Sequence, residues 1–568
     1  MPQLRRTVDL GSVGEWLLYI GIDPRLDEWE PFWPPDVFAV AAAYLRRTGG
    51  YALLVNGALT RDRLDALRIE AIAVGERWRD GLSSAFRARR LKDKAPPEIT
   101  NWFDKFKQSG RYSFAEAAID DEAQITAIRL CIASDVASAG IGVTPSANAY
   151  VAAAQQYLAR NKNRSFCRLI DVEKLAVLGK QHTPQRGCTI RSLSHHLALY
   201  VTHEIQAYWN GPFQPVRGDL DVVNLLLLPW PTEVRASDFQ IMEGPVARDA
   251  AFRYFEYSPA TTPQPREVGR RIASAIERAR EHADHIHGVV LPEAALTMAQ
   301  FRAAEMAATR AGAMLIAGVR ITGTANSLPH NVCAIQPLGL TKAARQASAT
   351  ELAVTLDATR RLQPKHHRWC LDRSQVLQYT LGGRVPASRD CWERIHVGNR
   401  SINFVTLTSW LTTCALICED LARQEPVAEV LRAVGPNLVI ALLMDGPQLR
   451  YRWPSRYASV LAEDPGCSVL SLTSLGMSRR SKPRQEEAAV PDKSNVIALW
   501  RDAIYGEREI ELAAGHDACV LSLVCKSTRE YTLDDRADAE QSHFPVFAGS
   551  YSFDSKTSES VQPASGGR

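Results

Sequence analysis

Residues 414–423 read CALICEDLAR. An apolar run of strand length ends in Cys418, and two acids, Glu419 and Asp420, open the turn behind it. Residues 289–295, VVLPEAA, have the same form: a branched run followed by Pro292 and Glu293. Between them, residues 362–369, LQPKHHRW, set Lys365 in a loop-like stretch. Sheets of α/β proteins gather their functional groups at the C-terminal ends of strands. A carboxylate, an ammonium and a thiol therefore occur at three strand ends, in that order along the chain.

The surroundings of these segments set the fold class. Short apolar runs at 222–228, 287–291, 313–319, 331–335, 401–407, 414–417, 438–443, 468–473, 496–499 and 518–524 read as strands. Amphipathic segments at 266–282, 296–310 and 426–434 read as helices between them. Strands alternating with helices predict an α/β domain over 218–530. Residues 1–210 read as mainly helical: 36–47 ends at Gly49-Gly50, 60–90 has helical spacing, and 122–158 reads as two helices broken near 140–145. Residues 180–200 read as a loop entering a helix that starts near Thr189 or Ser192. The stretch NGPFQPVRGD at 210–219 suits a linker, 478–494 a polar loop, and the Ser/Gly-rich 550–568 a disordered tail.

Composition narrows the function. The 568 residues are 46% hydrophobic and 23% charged, an ordinary globular balance. With 67 Lys plus Arg against 63 Asp plus Glu, the net charge is +4, too weak for a dedicated nucleic-acid binder. No apolar stretch approaches the ~20 residues of a membrane-spanning helix, so no membrane partner is expected. No apolar core follows Arg5-Arg6, so no secretory signal is expected either. Eleven cysteines without paired spacing favour a reducing cytoplasm and no zinc site. The phosphate loop, the dinucleotide loop, the H-E-x-x-H helix and the G-x-S-x-G elbow are missing. The pairs His195-His196 and His366-His367 point apart on any helix, which favours hydrogen-bonding roles over a shared metal.

Taken together, LPEAAL, PKHHRW and LICEDLARQEP resemble the three signatures of the nitrilase superfamily of carbon–nitrogen hydrolases. The resemblance continues through Gly435-Pro436-Asn437 into the next apolar run, through 453–462, and through 472–476. It implies a four-layer α-β-β-α sandwich over 218–530; the mainly helical domain over 1–210 that precedes it lies outside the resemblance. It also implies Glu293, Lys365 and Cys418 as catalytic residues, no cofactor or metal, a small amide or nitrile as substrate, and a homo-oligomer. Two departures stand out. Lys365 and Cys418 are 53 residues apart, which fits an insertion at 381–399 and leaves Lys342 as a competing lysine. The family's second glutamate has two candidates here, Asp372 and Glu393.

The residue types fit that chemistry. A thiol of pKa ~8.5 needs a base or a cation to act as a nucleophile at neutral pH. A desolvated Glu293 would take its proton, and Lys365 with the backbone N–H after Cys418 would stabilise developing charge. An amide is preferred to a nitrile, and the reaction would pass through a thioester.

Two other readings share this fold. One is a non-catalytic regulator of nitrilase fold. The other is a nucleic-acid-associated protein, because the domain is also similar to a divergent branch that accompanies bacterial reverse transcriptases in defence. The phrase VVNLLLLPWP and the insertion holding Trp392 carry that likeness. No Tyr-x-Asp-Asp signature exists, so polymerisation is not expected, and the basic runs 87–94 and 479–484 read as solvated faces. An NAD synthetase would need a Ser-Gly-Gly-x-Asp-Ser loop, and a lipoprotein N-acyltransferase several membrane helices; neither is present. Arg186, Arg191, His195 and His196 crowd a presumed helix start, suited to domain docking ahead of anion binding.

Overall fold

The computed structural model describes residues 11–23, 33–87, 95–142, 149–184, 187–201, 205–211, 221–242, 253–324, 326–337, 346–408, 410–481, 494–537 and 542–556. Lys342, Arg186, the basic run 88–94, most of the linker and of the polar loop, and residues 557–568 lie outside these. The chain divides into two compact units. One holds residues 1–212 with 428–436 and 527–543; the other holds 213–427, 437–526 and 544–568.

The first unit is built on helices, chiefly Pro34–Thr48, Arg61–Arg87, Pro97–Gln108, Asp121–Ala137 and Ala149–Arg160. The helix Pro34–Thr48 begins with proline in its first turn and stops where Gly49 takes φ 73°, releasing the chain from right-handed geometry. Helices Arg61–Arg87 and Asp121–Ala137 approach closely at Gly75, where a Cβ would come within 2.6 Å of the Ala133 carbonyl. The carboxylate of Asp135 is buried and accepts the backbone N–H groups of His195, His196 and Leu197 and the guanidinium of Arg536.

That carboxylate explains a correction. Residues 180–200 form no helix start: a single 3₁₀ turn, Ile190–Leu193, leads into the strand Leu197–Val201, paired antiparallel with Leu175–Gly179. Asp135 takes three successive N–H groups that a helix would have pointed inward, and so holds the segment open. His195 bonds to Thr183 and to the Arg536 carbonyl, and Arg191 to the Arg432 carbonyl.

The second unit is mixed α/β. Its first sheet has the order Arg361–Pro364, His330–Gln336, Met314–Ile321, Gly288–Thr297, Val222–Leu227, Ala518–Thr528, Ser542–Phe553. The three central strands from 222, 288 and 314 run parallel. In the second sheet, six strands of this unit follow the order Gly506–Glu511, Val496–Asp502, Ser468–Thr473, Leu438–Leu443, Thr412–Ile417, Ser401–Thr406. Here the parallel trio starts at 412, 438 and 468, and every residue in it is buried. Strands buried on both faces read as continuous apolar runs, which is why these were legible.

The helices Pro265–Ala279 and Met298–Ala311 cover the first sheet. Val268, Ile272, Ala275, Ile276 and Ala279 recur at helical spacing and join one core with Val289, Leu291, Leu315 and Phe301. Helix Met298–Ala311 opens on a capping box, Thr297 with Gln300, and closes at Gly312 in the left-handed region. Gln363, fully buried, ties an edge strand of the first sheet to the second. Its amide donates to the Ala415 carbonyl at 2.7 Å and accepts the Asn403 N–H at 3.0 Å.

A third, small sheet has the order Cys370–Leu371, Cys391–Glu393, Arg253–Tyr257, Phe239–Met242. With the helix Arg373–Gln378 it builds a separate apolar cluster of Phe239, Phe255, Trp369, Val376, Tyr379, Met444 and Met477. The tail also needs correction. Residues 550–553 belong to the strand Ser542–Phe553, and Phe553 is buried in the core with Ala518 and Val520. Burying that ring outweighs the polar composition around it.

Candidate functional site

Glu293 does not end its strand. The strand Gly288–Thr297 continues past it through a bulge, with a register shift between Leu291 and Leu296 and Ala294 at φ 54°. The sequence reading stopped the strand because Pro292 donates no ladder hydrogen bond, whereas a bulge accommodates it. The bulge depends on Gly318 of the neighbouring strand: a Cβ there would fall 2.4 Å from Glu293 Cα and 2.5 Å from the Pro292 carbonyl. Arg320 Nε donates to the Ala294 carbonyl at 2.9 Å and steadies the far side. The outcome is a glutamate turned inward, 3% exposed.

Lys365 follows the short strand Arg361–Pro364, and its backbone N–H donates to the Asn331 carbonyl at 2.9 Å. Its Nζ lies 2.7 Å from Glu293 Oε1 and 2.7 Å from Glu393 Oε2, with the side chain fully buried. Asn331 Nδ2 donates to both glutamates, at 2.8 Å to Glu293 Oε1 and 2.9 Å to Glu393 Oε1. The backbone N–H of Trp369 adds a third bond to Glu393, at 3.1 Å on Oε2. Both oxygens of Glu393 are thus engaged, whereas Glu293 Oε2 is buried with no hydrogen-bond partner among the described residues. Of the two acids offered by the sequence, Glu393 stands at this cluster; Asp372 caps the helix Arg373–Gln378 through the Gln375 N–H.

Cys418 follows the strand Thr412–Ile417 at φ 46° and ψ −108°, a backbone conformation that a side chain rarely adopts. Its N–H donates to the Leu442 carbonyl at 2.8 Å, and the backbone N–H of Met444 is directed at its sulfur. Strain of this kind is held only where the surroundings over-determine it. The surroundings here include Asp420, which accepts the backbone N–H groups of His366 and His367 and the His367 ring. His366 Nε2 meets the Ser401 carbonyl at 2.8 Å. Both histidines of this pair are spacers between the lysine loop and the cysteine turn.

Electrostatics couples the three groups. Burial pushes the Cys418 thiol well above its ordinary value, the charge of Glu293 adds to this, and Lys365 opposes it. Burial also raises Glu293, with the Glu393 charge in the same direction and Lys365 against it. Burial acts to lower Lys365, but the two carboxylates override it and hold the ammonium firmly charged. Glu293 and Lys365 thus act on the thiol in opposite directions. Cys414, on the strand that leads to Cys418, is buried; desolvation raises its thiol and Cys333 adds to the shift.

Asn331, Asp420 and Gly318 were missed by sequence reading. Asn331 stands beside His330 at the start of the strand His330–Gln336, a place where a polar residue signals little by itself. Asp420 was visible as an acid behind the cysteine, but its partners lie 53 and 54 residues away. A cavity of about 90 Å³ reaches this cluster, lined among others by Ala294, Asn331, Trp369, Glu393 and Met444. Among the described residues no group of three or more His, Cys, Asp or Glu is arranged to hold a metal.

No family model matches the chain, and no curated protein does. Solved structures do. Nit3 of Saccharomyces cerevisiae, from branch 10 of the nitrilase superfamily, is 12% identical, over 54% of this chain and 90% of that one, at a TM-score of 0.31. XC1258 of Xanthomonas campestris, a CN-hydrolase superfamily protein with an arsenic adduct in its active site, is 14% identical over 53% and 89%, at 0.29. A cysteine-to-alanine mutant of the Nesterenkonia AN1 amidase is 12% identical over 53% and 90%, at 0.30. These three solved structures, each similar to just over half of this chain, are members of the nitrilase or CN-hydrolase superfamily by their descriptions.

Proposed function

We propose that the chain is a cysteine-dependent hydrolase of a non-peptide carbon–nitrogen bond, an amide in preference to a nitrile. In this reading a four-layer α-β-β-α sandwich over 218–530 carries the chemistry, preceded by a mainly helical domain over 1–210. The observation that supports it is the unpartnered oxygen of Glu293 in a cluster where Lys365 and Asn331 hold every other carboxylate oxygen. Buried titratable groups perturbed by desolvation and by specific charge partners are a mark of catalytic sites.

Glu293 Oε2 takes the proton of Cys418, and the thiolate attacks the amide carbon. A carbon–sulfur bond forms while the carbonyl electrons move to oxygen. Lys365 and the N–H after Cys418 stabilise that oxyanion, a contribution of roughly 10²–10³ in kcat for one such donor. Glu293 returns the proton to the nitrogen, the carbon–nitrogen bond breaks, and ammonia or an amine leaves a thioester. Water, deprotonated by Glu293, then releases the acid and restores the thiol. Glu393 and Asn331 hold Lys365 and Glu293 in register without touching substrate. Cytoplasmic location and assembly into a homo-oligomer belong to the same proposal; no described helix is long and apolar enough to cross a membrane.

Cys418→Ala should abolish both hydrolysis and acyl-enzyme formation with the fold retained by circular dichroism. Intact mass of Glu293→Gln after incubation with a panel of amides should reveal the trapped acyl group. Unchanged turnover in Cys418→Ala would remove the nucleophile. A second reading, a nitrilase-fold scaffold without turnover, is favoured by the 3% exposure of Cys418. Thiol labelling at pH 7 separates the two: modification of Cys418 favours the enzyme, and an inert thiol the scaffold.

A further inference from the structure

A larger cavity, about 340 Å³, takes its walls from the turns at 230–238 and 257–263, the helix Pro265–Ala279 and the bulge of the strand Gly288–Thr297. None of Glu293, Lys365 and Cys418 lines it. Its volume falls within the ~300–1,000 Å³ usual for small-molecule sites. Trp230, Val268 and Leu296 supply apolar wall. Three arginines and two acids supply charge, and they leave one positive charge in excess: Arg235, Arg271 and Arg320 against Glu233 and Asp238. Glu233 and Arg235 are exposed and pair with each other at 2.9 Å. Asp238 is buried, and its Oδ2 accepts the Arg235 backbone N–H at 2.8 Å.

Arg320 differs from the other buried arginines. Arg360, Arg452 and Arg536 each hold a carboxylate, of Glu305, Asp445 and Asp135. Arg320 forms no ion pair with any described residue. Its guanidinium is fixed between two residues of the cavity wall. Nε donates to the Ala294 carbonyl at 2.9 Å, and Cζ lies 5.3 Å from the centre of the Tyr257 ring. Nη1 and Nη2 have no hydrogen-bond partner among the described residues, and neither is sealed from solvent. Burial lowers the Arg320 pKa, and the influence of Tyr257 and Asp238 does not restore it. A guanidinium drawn out of bulk water without a counter-charge is costly to hold, and its paired Nη–H groups match the oxygens of a carboxylate or phosphate.

A second cation stands on the same wall. Arg271 lies over Trp230, with Cζ 4.2 Å from the ring centre. Its ion pair with Asp517 is at 4.0 Å, and both oxygens of Asp517 already accept from Ser555, at 2.7 and 3.0 Å. The smaller cavity that reaches Asn331 and Glu393 shares Tyr257, Ala294 and Arg320 with this one. A ligand on Arg320 therefore touches the group that steadies the Glu293 bulge.

We propose that this cavity is a binding site for a small organic anion, a carboxylate or phosphate group borne on an apolar frame about the size of one ring, with Arg320 as its principal partner and Arg271 as the second. The oxyanion supplies the counter-charge that the fold withholds from Arg320, and the frame covers the wall around Trp230, Val268 and Leu296. The site is additional to the reacting cluster, and the proposal does not depend on the hydrolase reading.

The test is calorimetric titration of the full chain with phenylacetate, phenyl phosphate, acetate, inorganic phosphate and 2-phenylethanol. Phenylacetate or phenyl phosphate should bind saturably, and the tighter of the two identifies the oxyanion. That ligand should exceed its ring-free counterpart and 2-phenylethanol by about tenfold or more, the worth of one charge-assisted hydrogen bond. Arg320→Lys keeps the charge but loses the paired N–H groups, and should weaken the preferred anion by a similar factor without altering 2-phenylethanol. Arg271→Met should weaken the same anion and keeps the test open if Arg320→Lys does not fold, because Arg271 is a third exposed and holds only the 4.0 Å pair. The preferred anion should also raise the melting temperature of wild type more than that of either variant. Failure of both ring-bearing anions to bind, equal affinity for 2-phenylethanol, or titrations unaltered in both variants overturns the site. Amide turnover is not a readout here, so the loss of this site and the loss of the hydrolase are distinguishable.

Discussion

Asp420 accepts the backbone N–H of His366 on both of its carboxylate oxygens, at 3.0 and 3.1 Å. One residue lies two positions past the candidate nucleophile and the other directly follows the candidate lysine. This contact ties the turn behind the thiol to the loop that carries the ammonium. Asp420→Ala should therefore lower kcat by about 10²-fold, the effect expected of a misplacement near 1 Å, with KM little altered. Asp420→Asn keeps an acceptor oxygen and should recover part of the loss. Steady-state kinetics of the two variants against a reactive amide checks this. A purely structural role would lower the melting temperature of both and leave kcat per folded molecule unchanged.

The charges around Cys418 make opposite predictions for its two neighbours. Burial is the main reason the thiol is raised, and Glu293 raises it further while Lys365 lowers it. In Glu293→Gln the pH midpoint of iodoacetamide labelling should fall, while turnover falls by roughly 10²–10⁴ with loss of the base. In Lys365→Met the midpoint should rise and turnover should also fall. Labelling profiles that move in the same direction would show that the charges do not reach the sulfur.

Arg536 is buried between Asp135 and Asp534, at 3.2 and 3.4 Å. Removing one partner of a buried pair leaves a charge without compensation and typically costs about 3–5 kcal/mol. Arg536→Ala should destabilise the first unit by that order in denaturant melts. The same pair gives an acid limb. Burial works to raise Asp135, but Arg536, His196, His195 and the His195 N–H together outweigh it and hold the carboxyl below its ordinary 3.8. A carboxylate lowered in the folded state stabilises above its unfolded pKa, and that stability is lost as pH falls below 3.8. Arg536→Ala should flatten this limb.

Asp36 has the opposite sign. Burial raises it from 3.8 to about 6, against the N–H groups of Leu169 and Arg168 that it accepts. The folded state then binds more protons than the unfolded one between these values, so stability falls as pH rises from about 4 to 6. Asp36→Asn keeps the acceptor oxygen and has no charge to desolvate. Relative to wild type it should gain about 3 kcal/mol between pH 4 and pH 7. Chemical denaturation at the two pH values measures this. A constant difference would show that Asp36 titrates normally.

Legibility followed the range of the forces involved. The runs 438–443 and 468–473 coincide with the observed strands, because a strand buried on both faces must be apolar throughout. The helix at 265–279 was visible through its 3.6-residue apolar period. The strand through Glu293 was cut short, since its bulge depends on the absent Cβ of Gly318 on another strand. The small sheet was not visible at all. Its strands are two to five residues long, and Cys391–Glu393 pairs with Arg253–Tyr257 across more than a hundred residues.

The sequence by itself determined which chemical groups are present and that each stands at the end of an apolar run, because burial and backbone geometry write short periods into the chain. Only the tertiary structure decided that Glu393 rather than Asp372 joins Lys365, that Asn331 bridges two glutamates, and that one oxygen of Glu293 has no partner among the described residues. Those facts concern which side chains meet. Meetings between residues tens to hundreds of positions apart are fixed by sheet register and packing, which no local pattern records.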